Sequence, residues 1–192
     1  MSEKKIFVTG AKGFVGENLC KELDKRGFHF LPSARNKLNK KQEYLRDLVD
    51  CDFDKPFDLS STLTGCHTVI HCAGRAHIMK RASNDSSMFD RVNHLATKKL
   101  AKQAIAAGVT RFILISTAGV MGKKSELGFP IKLNHRPNPQ NDYTFSKLRG
   151  EEALISECQK SPMHYTILRP PLIYGQNAPG NWRKLVKLLN YN

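Results

Sequence analysis

The sequence predicts an α/β protein built on a doubly wound parallel sheet. Apolar runs of strand length alternate with stretches of helical periodicity, a glycine-rich loop follows the first run, and hydroxyl side chains follow a later one. Hydrophobic residues make up 40% of the 192 residues, which is enough for one domain with a sizeable core. Because ligands of such sheets bind at the carboxyl ends of the strands, the informative residues should follow strands.

The expected elements begin with an apolar run at residues 5–9 and an amphipathic helix at 13–26. Further strands are expected at 28–33, 67–72, 111–116 and 164–168, with a weaker one near 45–51. Further helices are expected at 88–107 and 143–159, and a last one begins near Asn181. This alternation favours a parallel sheet that is covered on both faces.

The chain carries 31 Lys and Arg against 17 Asp and Glu, a net charge of +14. These charges are spread over loops and helices, whereas nucleic-acid binding concentrates them on one face, so a nucleic-acid partner is only a distant alternative. No apolar run is long enough to span a membrane or to form a signal-peptide core. The five cysteines are odd in number and lack C-x-x-C spacing, which disfavours disulfides and zinc and indicates a reducing cytoplasm.

The glycine loop reads Thr9-Gly10-Ala11-Lys12-Gly13-Phe14-Val15-Gly16 and opens the first helix. In such a T-G-x-x-G-x-x-G loop the first glycine permits a tight turn, the second lets the backbone approach a pyrophosphate, and the third lets the helix pack closely on the strand. Free N–H groups at the helix start then meet the phosphates. The loop predicts a dinucleotide site, and a strand-to-helix turn without a ligand is the alternative.

The end of the second strand bears on the choice of nucleotide. NAD enzymes of this fold commonly place an acidic residue about 20 residues further on, where it accepts hydrogen bonds from the adenosine ribose. Here that position holds Ala34, and Arg35 follows. An arginine suits a 2′-phosphate, so NADP(H) is favoured over NAD(H), against the alternative that Arg35 is a solvated loop residue.

A tyrosine and a lysine four residues apart, Tyr143 and Lys147, share one face at the start of an expected helix. A free phenol loses its proton near pH ~10, and a nearby cation lowers that pKa, which makes Tyr143 a usable general acid or base. Ser116 and Thr117 end a central strand, where their hydroxyls can bond a substrate oxygen; backbone capping is the alternative for both.

These motifs resemble those of the extended short-chain dehydrogenase/reductases, which include nucleotide-sugar 4-epimerases, 4,6-dehydratases and 4-ketoreductases. The resemblance covers nearly the whole chain, including Val69-Ile70-His71-Cys72-Ala73-Gly74, similar to the family's V-I-H-x-A-A, and Asn93-His94-Leu95-Ala96-Thr97, similar to its N-x-x-x-T. It implies a Rossmann fold with these cofactor-binding residues: Gly10, Gly13, Phe14, Val15, Gly16, Arg35, Asp52, Phe53, Cys72, Ala73, Gly74, Asn93, Ser116, Tyr143, Lys147, Pro170 and Pro171.

The resemblance also implies the chemistry, a hydride transfer at the sugar C4. Thr117 would orient the sugar oxygen, Tyr143 would move its proton, and Lys147 would lower the Tyr143 pKa and bond the nicotinamide ribose. Dehydratases of the family carry Asp-Glu after the catalytic threonine, where this chain has Ala118-Gly119, which argues against that reaction.

For the substrate, the stretch that starts at Arg75 and the segment Arg169-Pro170-Pro171-Leu172-Ile173-Tyr174-Gly175 are similar to epimerases and 4-ketoreductases of surface-polysaccharide sugars, such as quinovosamine-type 4-reductases. A UDP-linked sugar is therefore implied, with Arg75, His77, Thr117 and Leu172 as its contacts. A loop histidine satisfied by backbone or water is the simpler interpretation of His77. Leu172 replaces an asparagine that several epimerases use, so their individual sugar contacts do not carry over.

Members of the family continue well beyond this length. Residues 1–180 are therefore expected to form the nucleotide-binding domain, and residues 181–192 to begin a substrate-binding lid domain that is largely missing. The family's paired helices, here 88–107 and 143–159, imply a homodimer, and no metal is expected. Besides an active enzyme, a catalytically silent nucleotide-binding protein and a dimerising module remain open as alternatives.

Overall fold

The computed structural model describes residues 4–35, 43–76, 87–125, 130–132, 134–176, 178 and 188. Its centre is a six-stranded parallel sheet with the order β3-β2-β1-β4-β5-β6. The strands are β1 (Lys5–Thr9), β2 (Phe30–Ala34), β3 (Val49–Asp50), β4 (Cys66–His71), β5 (Arg111–Ile115) and β6 (His164–Leu168). The strand order reverses between β1 and β4, so the predicted doubly wound fold is confirmed.

The helices are α1 (Phe14–Lys25), α2 (Ser60–Leu63), α3 (Ser87–Phe89), α4 (Ala96–Ala106) and α5 (Asp142–Cys158). Two 3-10 turns cover Glu43–Leu45 and Ala118–Met121. The predicted helix at 88–107 is one helical stretch in three parts, because a π-helix (Asp90–Leu95) joins α3 to α4. Of the predicted final helix, only Leu188 lies within the described residues.

The larger hydrophobic core lies between the sheet and the helices α4 and α5. Phe7, Val69 and Phe112 are register partners on three neighbouring strands and are fully buried, and Leu100 and Leu154 pack against them from the helices. Each such side chain gains about 1.5–3 kcal/mol by leaving water, so this layer fixes the central strands and with them the edge of the sheet where they end.

A smaller core lies on the other face, where Cys20 and Leu23 of α1 pack on Val8 of β1. In the described part of the chain β6 is the least covered strand, since its Tyr165 and Leu168 are 42% and 48% exposed. The expectation of a sheet covered on both faces therefore holds for the central strands and not for β6.

None of the described helices is both long enough and apolar enough to cross a lipid bilayer. All five cysteines are free thiols, four of them buried. Within the described ranges, no three His, Cys, Asp or Glu side chains are grouped as metal ligands would be.

Candidate functional site

The loop between β1 and α1 is shaped by its glycines. Gly10 has a φ of 68°, and a Cβ at this position would lie 2.7 Å from the backbone nitrogen of Ala73. A Cβ on Gly16 would collide with the carbonyl oxygen of Gly10. Both positions therefore exclude a side chain, because the loop is pressed between the end of β4 and the first turn of α1.

The start of α1 can receive an anion. Its first internal hydrogen bond runs from the Glu17 nitrogen to the Gly13 oxygen at 2.8 Å, and the N-cap Gly13 makes no side-chain cap. The N–H groups of Phe14, Val15 and Gly16 consequently have no acceptor within the helix. Such N–H groups, together with the helix dipole, favour a phosphate at this point.

A cleft of about 710 Å³ runs from the glycine loop across the ends of β2 and β3. This size is typical of a pocket for a small molecule or a cofactor. Eight of the predicted cofactor-binding residues line it, namely Gly10, Gly13, Arg35, Asp52, Phe53, Cys72, Ala73 and Gly74. The residues present, a bare helix start beside a cleft of this volume, fit a dinucleotide.

A second cleft of about 790 Å³ lies between α1 and the segment that follows β6. Phe14, Val15 and Pro170, three more of the predicted residues, line it together with Ile115. Pro171 and Leu172 follow directly but lie outside this lining, and Leu172 is 54% exposed. The helix start thus borders both clefts.

Tyr143 lies in the first turn of α5, where the backbone is held by a capping box. The Asn141 side chain accepts a hydrogen bond from the Thr144 nitrogen at 2.9 Å, and the Thr144 hydroxyl accepts one from the Asn141 nitrogen at 3.2 Å. The Tyr143 phenol interacts with the side chain of Thr117, which lies just beyond the end of β5. The structure therefore brings the two predicted catalytic hydroxyls together.

Burial raises the pKa of Tyr143 above its ordinary value, and the hydrogen bond with Thr117 acts in the opposite direction. Lys147 is buried one turn later and donates a 2.6 Å hydrogen bond to the carbonyl oxygen of Ile115. The expected lowering of the Tyr143 pKa by Lys147 is not found, because desolvation dominates at the phenol and the ammonium is directed at the end of β5.

Burial also lowers the pKa of Lys147 to about 8, since a charged ammonium is disfavoured away from water; Glu151 and Cys72 act in the opposite direction. The ammonium would lie 3.7 Å from a Cβ built on Gly74, a residue that lines the cleft of about 710 Å³ beside the glycine loop. Lys147 thus stands between the end of β5 and the wall of that cleft.

Asn93 and Ser116, both predicted to bind cofactor, lie behind the clefts rather than in their linings. The Asn93 amide donates to the Ser146 hydroxyl at 2.9 Å and exchanges hydrogen bonds with the Arg75 backbone at 2.8 and 3.0 Å. Ser146 in turn donates to the Tyr143 carbonyl oxygen at 2.8 Å. The Ser116 hydroxyl bonds the Glu151 carboxylate. In this structure both residues hold the walls of the site.

Arg75, predicted to contact the substrate, lines the same cleft as the glycine loop. Its Nε is buried and has no hydrogen-bond partner among the described residues. A cationic group in this condition favours an anionic ligand. His77, the other predicted substrate contact of this loop, lies outside the described residues.

The sequence interpretation missed two groups of residues behind the site. The first is centred on His71, which is fully buried at the end of β4 and bonds the hydroxyls of Thr9 at 2.7 Å and Thr97 at 3.1 Å. Burial lowers the pKa of His71 to about 3, so the ring is neutral and joins β1 to the helical stretch that carries Asn93.

The second group is an ion pair between Glu151 and Arg169. Two features of the sequence could have indicated this ion pair. Glu151 follows Lys147 by four residues and so lies on the same helix face. Arg169 directly precedes Pro170, a predicted cofactor-binding residue. The sequence of α5, which carries Glu151, Glu152 and Glu157, does not by itself show which glutamate is buried.

Comparison with known proteins gives the family. A sequence profile of the NAD dependent epimerase/dehydratase family matches residues 6–190. The chain belongs to this family. It is 36% identical over 189 residues to the UDP-glucose 4-epimerase of Vibrio cholerae, with 97% of this chain and 57% of that relative covered.

Two solved structures share the fold of this family member. A short-chain dehydrogenase/reductase superfamily protein from Agrobacterium tumefaciens, with bound NAD, has a TM-score of 0.72 and 27% identity, covering 86% of this chain and 48% of that one. The UDP-glucuronic acid 4-epimerase of Bacillus cereus, in complex with UDP-glucuronic acid and NAD, has a TM-score of 0.72 and 26% identity, covering 86% and 55%. The family member described here spans about half the length of each.

The resemblance to extended short-chain dehydrogenase/reductases is thereby confirmed, as is the Rossmann fold. The prediction of a nicotinamide dinucleotide cofactor is confirmed at the level of the family, which is NAD-dependent by its description. Residues that line the two clefts lie at or just beyond the carboxyl ends of β1, β4, β5 and β6.

Proposed function

We propose that this chain is the cofactor-binding and catalytic part of a nucleotide-sugar 4-epimerase or 4-ketoreductase. The observation that carries the proposal is the meeting of the Tyr143 and Thr117 hydroxyls beside the buried Lys147, at the strand edge that borders both clefts. Family membership and the 36% identity to a UDP-glucose 4-epimerase support the same reaction class.

The proton chemistry follows from the environment of Tyr143. Because burial raises the pKa of Tyr143, the resting phenol keeps its proton and is ready to donate it to a ketone oxygen. The Thr117 hydroxyl, bonded with the phenol, would hold the same oxygen of the sugar. In the direction of sugar oxidation Tyr143 must first release its own proton to solvent, and the phenolate then takes the proton of the sugar hydroxyl. A nicotinamide cofactor supplies or accepts the hydride when it is bound.

Lys147 contributes through its charge. With a pKa of about 8 the ammonium is largely protonated near neutral pH, and it lies beside Gly74 at the cleft wall. A ribose hydroxyl at this point would accept a hydrogen bond from it, in addition to the one that Ile115 accepts. Lys147 is therefore proposed to hold the nicotinamide end of the cofactor.

The proposed cofactor preference is for NADP(H) over NAD(H). Four cationic side chains, Lys12, Arg35, Lys55 and Arg75, line the cleft of about 710 Å³, and two carboxylates, Asp52 and Asp54, share that lining. The net charge of the side chains that line this cleft is positive, which suits an additional phosphate on the adenosine ribose.

The proposed substrate is a UDP-linked sugar used for polysaccharide synthesis in the cytoplasm. Relatives named for UDP-glucose and UDP-glucuronic acid support the nucleotide part. The buried Nε of Arg75 has no hydrogen-bond partner among the described residues, which supports an anionic group on the substrate. We also propose a homodimer through the helical faces of the π-helix and α5, supported by Leu95 and Phe145, which are 48% and 52% exposed.

The test is incubation of the purified chain with UDP-glucose or UDP-N-acetylglucosamine and cofactor, with the C4 epimers separated by chromatography. Epimer formation without net cofactor consumption establishes an epimerase. Oxidation of NAD(P)H with a UDP-4-keto sugar establishes a reductase. Cofactor binding without either reaction would contradict the proposal and favour a catalytically silent nucleotide-binding protein.

A further inference from the structure

Glu151 is a fully buried carboxylate with an unusual number of partners. It lies on α5, one turn after Lys147, and is 1% exposed. The Ser116 hydroxyl donates to it, and the Arg169 guanidinium donates to both of its oxygens, with Nε at 3.1 and 3.2 Å and Nη2 at 2.6 Å. This two-pronged geometry orients the carboxylate as well as neutralising it.

These partners come from the two strands that carry the site. Ser116 lies between Ile115, which accepts the Lys147 hydrogen bond, and Thr117, which bonds Tyr143. Its backbone nitrogen also donates to the Leu168 oxygen at 2.7 Å, at the end of β6. One carboxylate on α5 therefore reaches the end of β5 directly.

The connection to β6 runs through Arg169. This residue directly precedes Pro170, whose carbonyl oxygen accepts a 2.9 Å hydrogen bond from the Ala118 nitrogen. The Nη1 atom of Arg169 also lies 3.1 Å from the sulfur of Met121, which is in the turn that follows Thr117. Any shift of Glu151 would thus be transmitted through Arg169 to Pro170, which lines the second cleft.

The electrostatic setting adds a second consequence. Three titratable groups of the described chain interact with the Lys147 ammonium: Glu151 on the same helix, and His71 and Cys72 at the end of β4. Burial lowers the pKa of His71 to about 3 and raises the pKa of Cys72 to about 12, so both are neutral at working pH. Glu151 is the anion among the three.

We propose that Glu151 is a positioning residue of the reaction: it holds Thr117 and Pro170 through Ser116 and Arg169, and it compensates the charge of the buried Lys147 ammonium. This inference rests on the proposed function, since it concerns the same site. A buried ion pair adds little net stability over apolar side chains of the same size, so its geometric and electrostatic effects are the ones to test.

The effect of Glu151 on Lys147 has a definite sign. Burial lowers the pKa of Lys147, and Glu151 is the foremost group that acts against this lowering. Without the carboxylate charge the pKa of Lys147 falls further, so the ammonium loses its proton at a lower pH. Cofactor binding that depends on this ammonium must then weaken at a lower pH as well.

The experiment is a fluorescence titration of NADH and NADPH between pH 6.5 and pH 9.5 with wild type and Glu151→Gln. Glutamine keeps the size and the acceptor oxygen and removes the charge. Wild-type affinity is expected to fall as the pH passes the Lys147 pKa of about 8. For Glu151→Gln the fall comes at lower pH, so binding at pH 8 is roughly three- to tenfold weaker than in wild type, and the two converge at pH 6.5.

Glu157→Gln is the matched control, because it removes a carboxylate from the same helix whose ion pair with Lys102, at 3.8 Å, lies on a different part of the molecule. Its pH profile should equal that of wild type. If Glu151→Gln does not fold because Arg169 is left without its anion, the double variant Glu151→Gln with Arg169→Gln removes both charges and should show a smaller displacement in the same direction.

The outcomes separate the two claims. Wild type and Glu151→Gln with superimposable pH profiles would overturn the positioning role while leaving the proposed function intact. Wild type that binds neither nucleotide at any pH would overturn the proposed function, and the role of Glu151 with it. A profile displaced equally by Glu157→Gln would show a general charge effect and would also overturn the assignment.

Discussion

The ammonium of Lys147 donates a 2.6 Å hydrogen bond to the carbonyl oxygen of Ile115, the last residue of β5. This bond ties the first half of α5 to the strand end that carries Thr117. Because Lys147 is 4% exposed, the protein keeps a cation where water is nearly absent. A buried cation lowers the stability of the fold. Its proposed function is to bind the cofactor.

Replacing this cation should therefore stabilise the fold. Burial lowers the pKa of Lys147 from 10.5 to about 8, so the penalty is fully present below pH 8 and is relieved as the pH rises toward 10.5. Lys147→Met removes the penalty and also the hydrogen bond to Ile115, which leaves a net gain of about 1–2 kcal/mol in the free energy of unfolding at pH 7.

Urea unfolding at pH 7 and pH 10 measures this gain, which should shrink at the higher pH. Lys102→Met, which removes an exposed lysine of α4, is the control and should change little. The same Lys147→Met variant should bind NADH weakly. A variant that is less stable than wild type at pH 7 would show that Lys147 stabilises the fold rather than burdening it.

Tyr143→Phe should stop the chemistry without affecting the cofactor. The phenol is the proposed proton carrier, and general acid–base groups contribute typically about 10²–10⁴-fold to turnover. Turnover of a UDP-sugar should fall by that factor while the dissociation constant for NADPH stays the same. Tyr165→Phe, on the exposed strand β6, is the matched control. Equal turnover in Tyr143→Phe and wild type would remove Tyr143 from the reaction.

Gly10→Ala should abolish nucleotide binding, because a Cβ at Gly10 would lie 2.7 Å from the backbone nitrogen of Ala73. Gly27→Ala is the control, since Gly27 has nearly the same φ, 70° against 68°, and a Cβ there has no neighbour within 4 Å. Both variants incur about 1–2 kcal/mol of left-handed strain. Calorimetric titration should detect binding in Gly27→Ala alone, and binding in both would mean that the loop does not contact the phosphates.

His71 should make the protein sensitive to acid. Burial lowers the pKa of His71 from 6.5 to about 3, so below pH 6.5 the unfolded chain takes up a proton that the folded chain does not. The free energy of unfolding therefore decreases as the pH falls below 6.5, by about 1.4 kcal/mol per pH unit.

Urea unfolding at pH 7, 6 and 5 tests this slope in wild type and in His71→Asn, where the contribution of the ring is gone and the slope should be shallower. His164→Asn, at an exposed position of β6, serves as the control and should keep the wild-type slope. An unchanged slope in His71→Asn would mean that other groups cause the loss of stability in acid.

The sequence predicted the elements that depend on local pattern. The glycine loop and the strand at Lys5–Thr9 are contiguous in the chain, so their order alone indicates a nucleotide site. Strand ends were less well predicted, since β3 shrinks to Val49–Asp50, and α2 was missed because four residues do not form an apolar repeat. The π-helix was missed because hydrophobic periodicity does not separate i→i+4 from i→i+5 hydrogen bonds over one turn.

The sequence predicted which residues form the candidate site better than it predicted which residues they bond. Motif order predicted that Tyr143 and Thr117 lie near each other, and the structure places their side chains in interaction. The bond between the Ser116 hydroxyl and Glu151 was not predicted, and the assignment of Ser116 to the cofactor stays a prediction. The direction of the Tyr143 pKa could not be read from the sequence, because it depends on how far the phenol is removed from water. Contacts between residues more than 30 positions apart, such as Lys147 with Ile115, require the fold.

The most direct test of the account is calorimetric titration of the purified chain with NADPH and NADH in parallel, repeated with Arg35→Ala. The account predicts that both nucleotides bind in the cleft of about 710 Å³, that NADPH binds more tightly, and that Arg35→Ala removes the difference while NADH binding is kept. Absence of binding for either nucleotide would contradict the assignment of a working dinucleotide site to this chain.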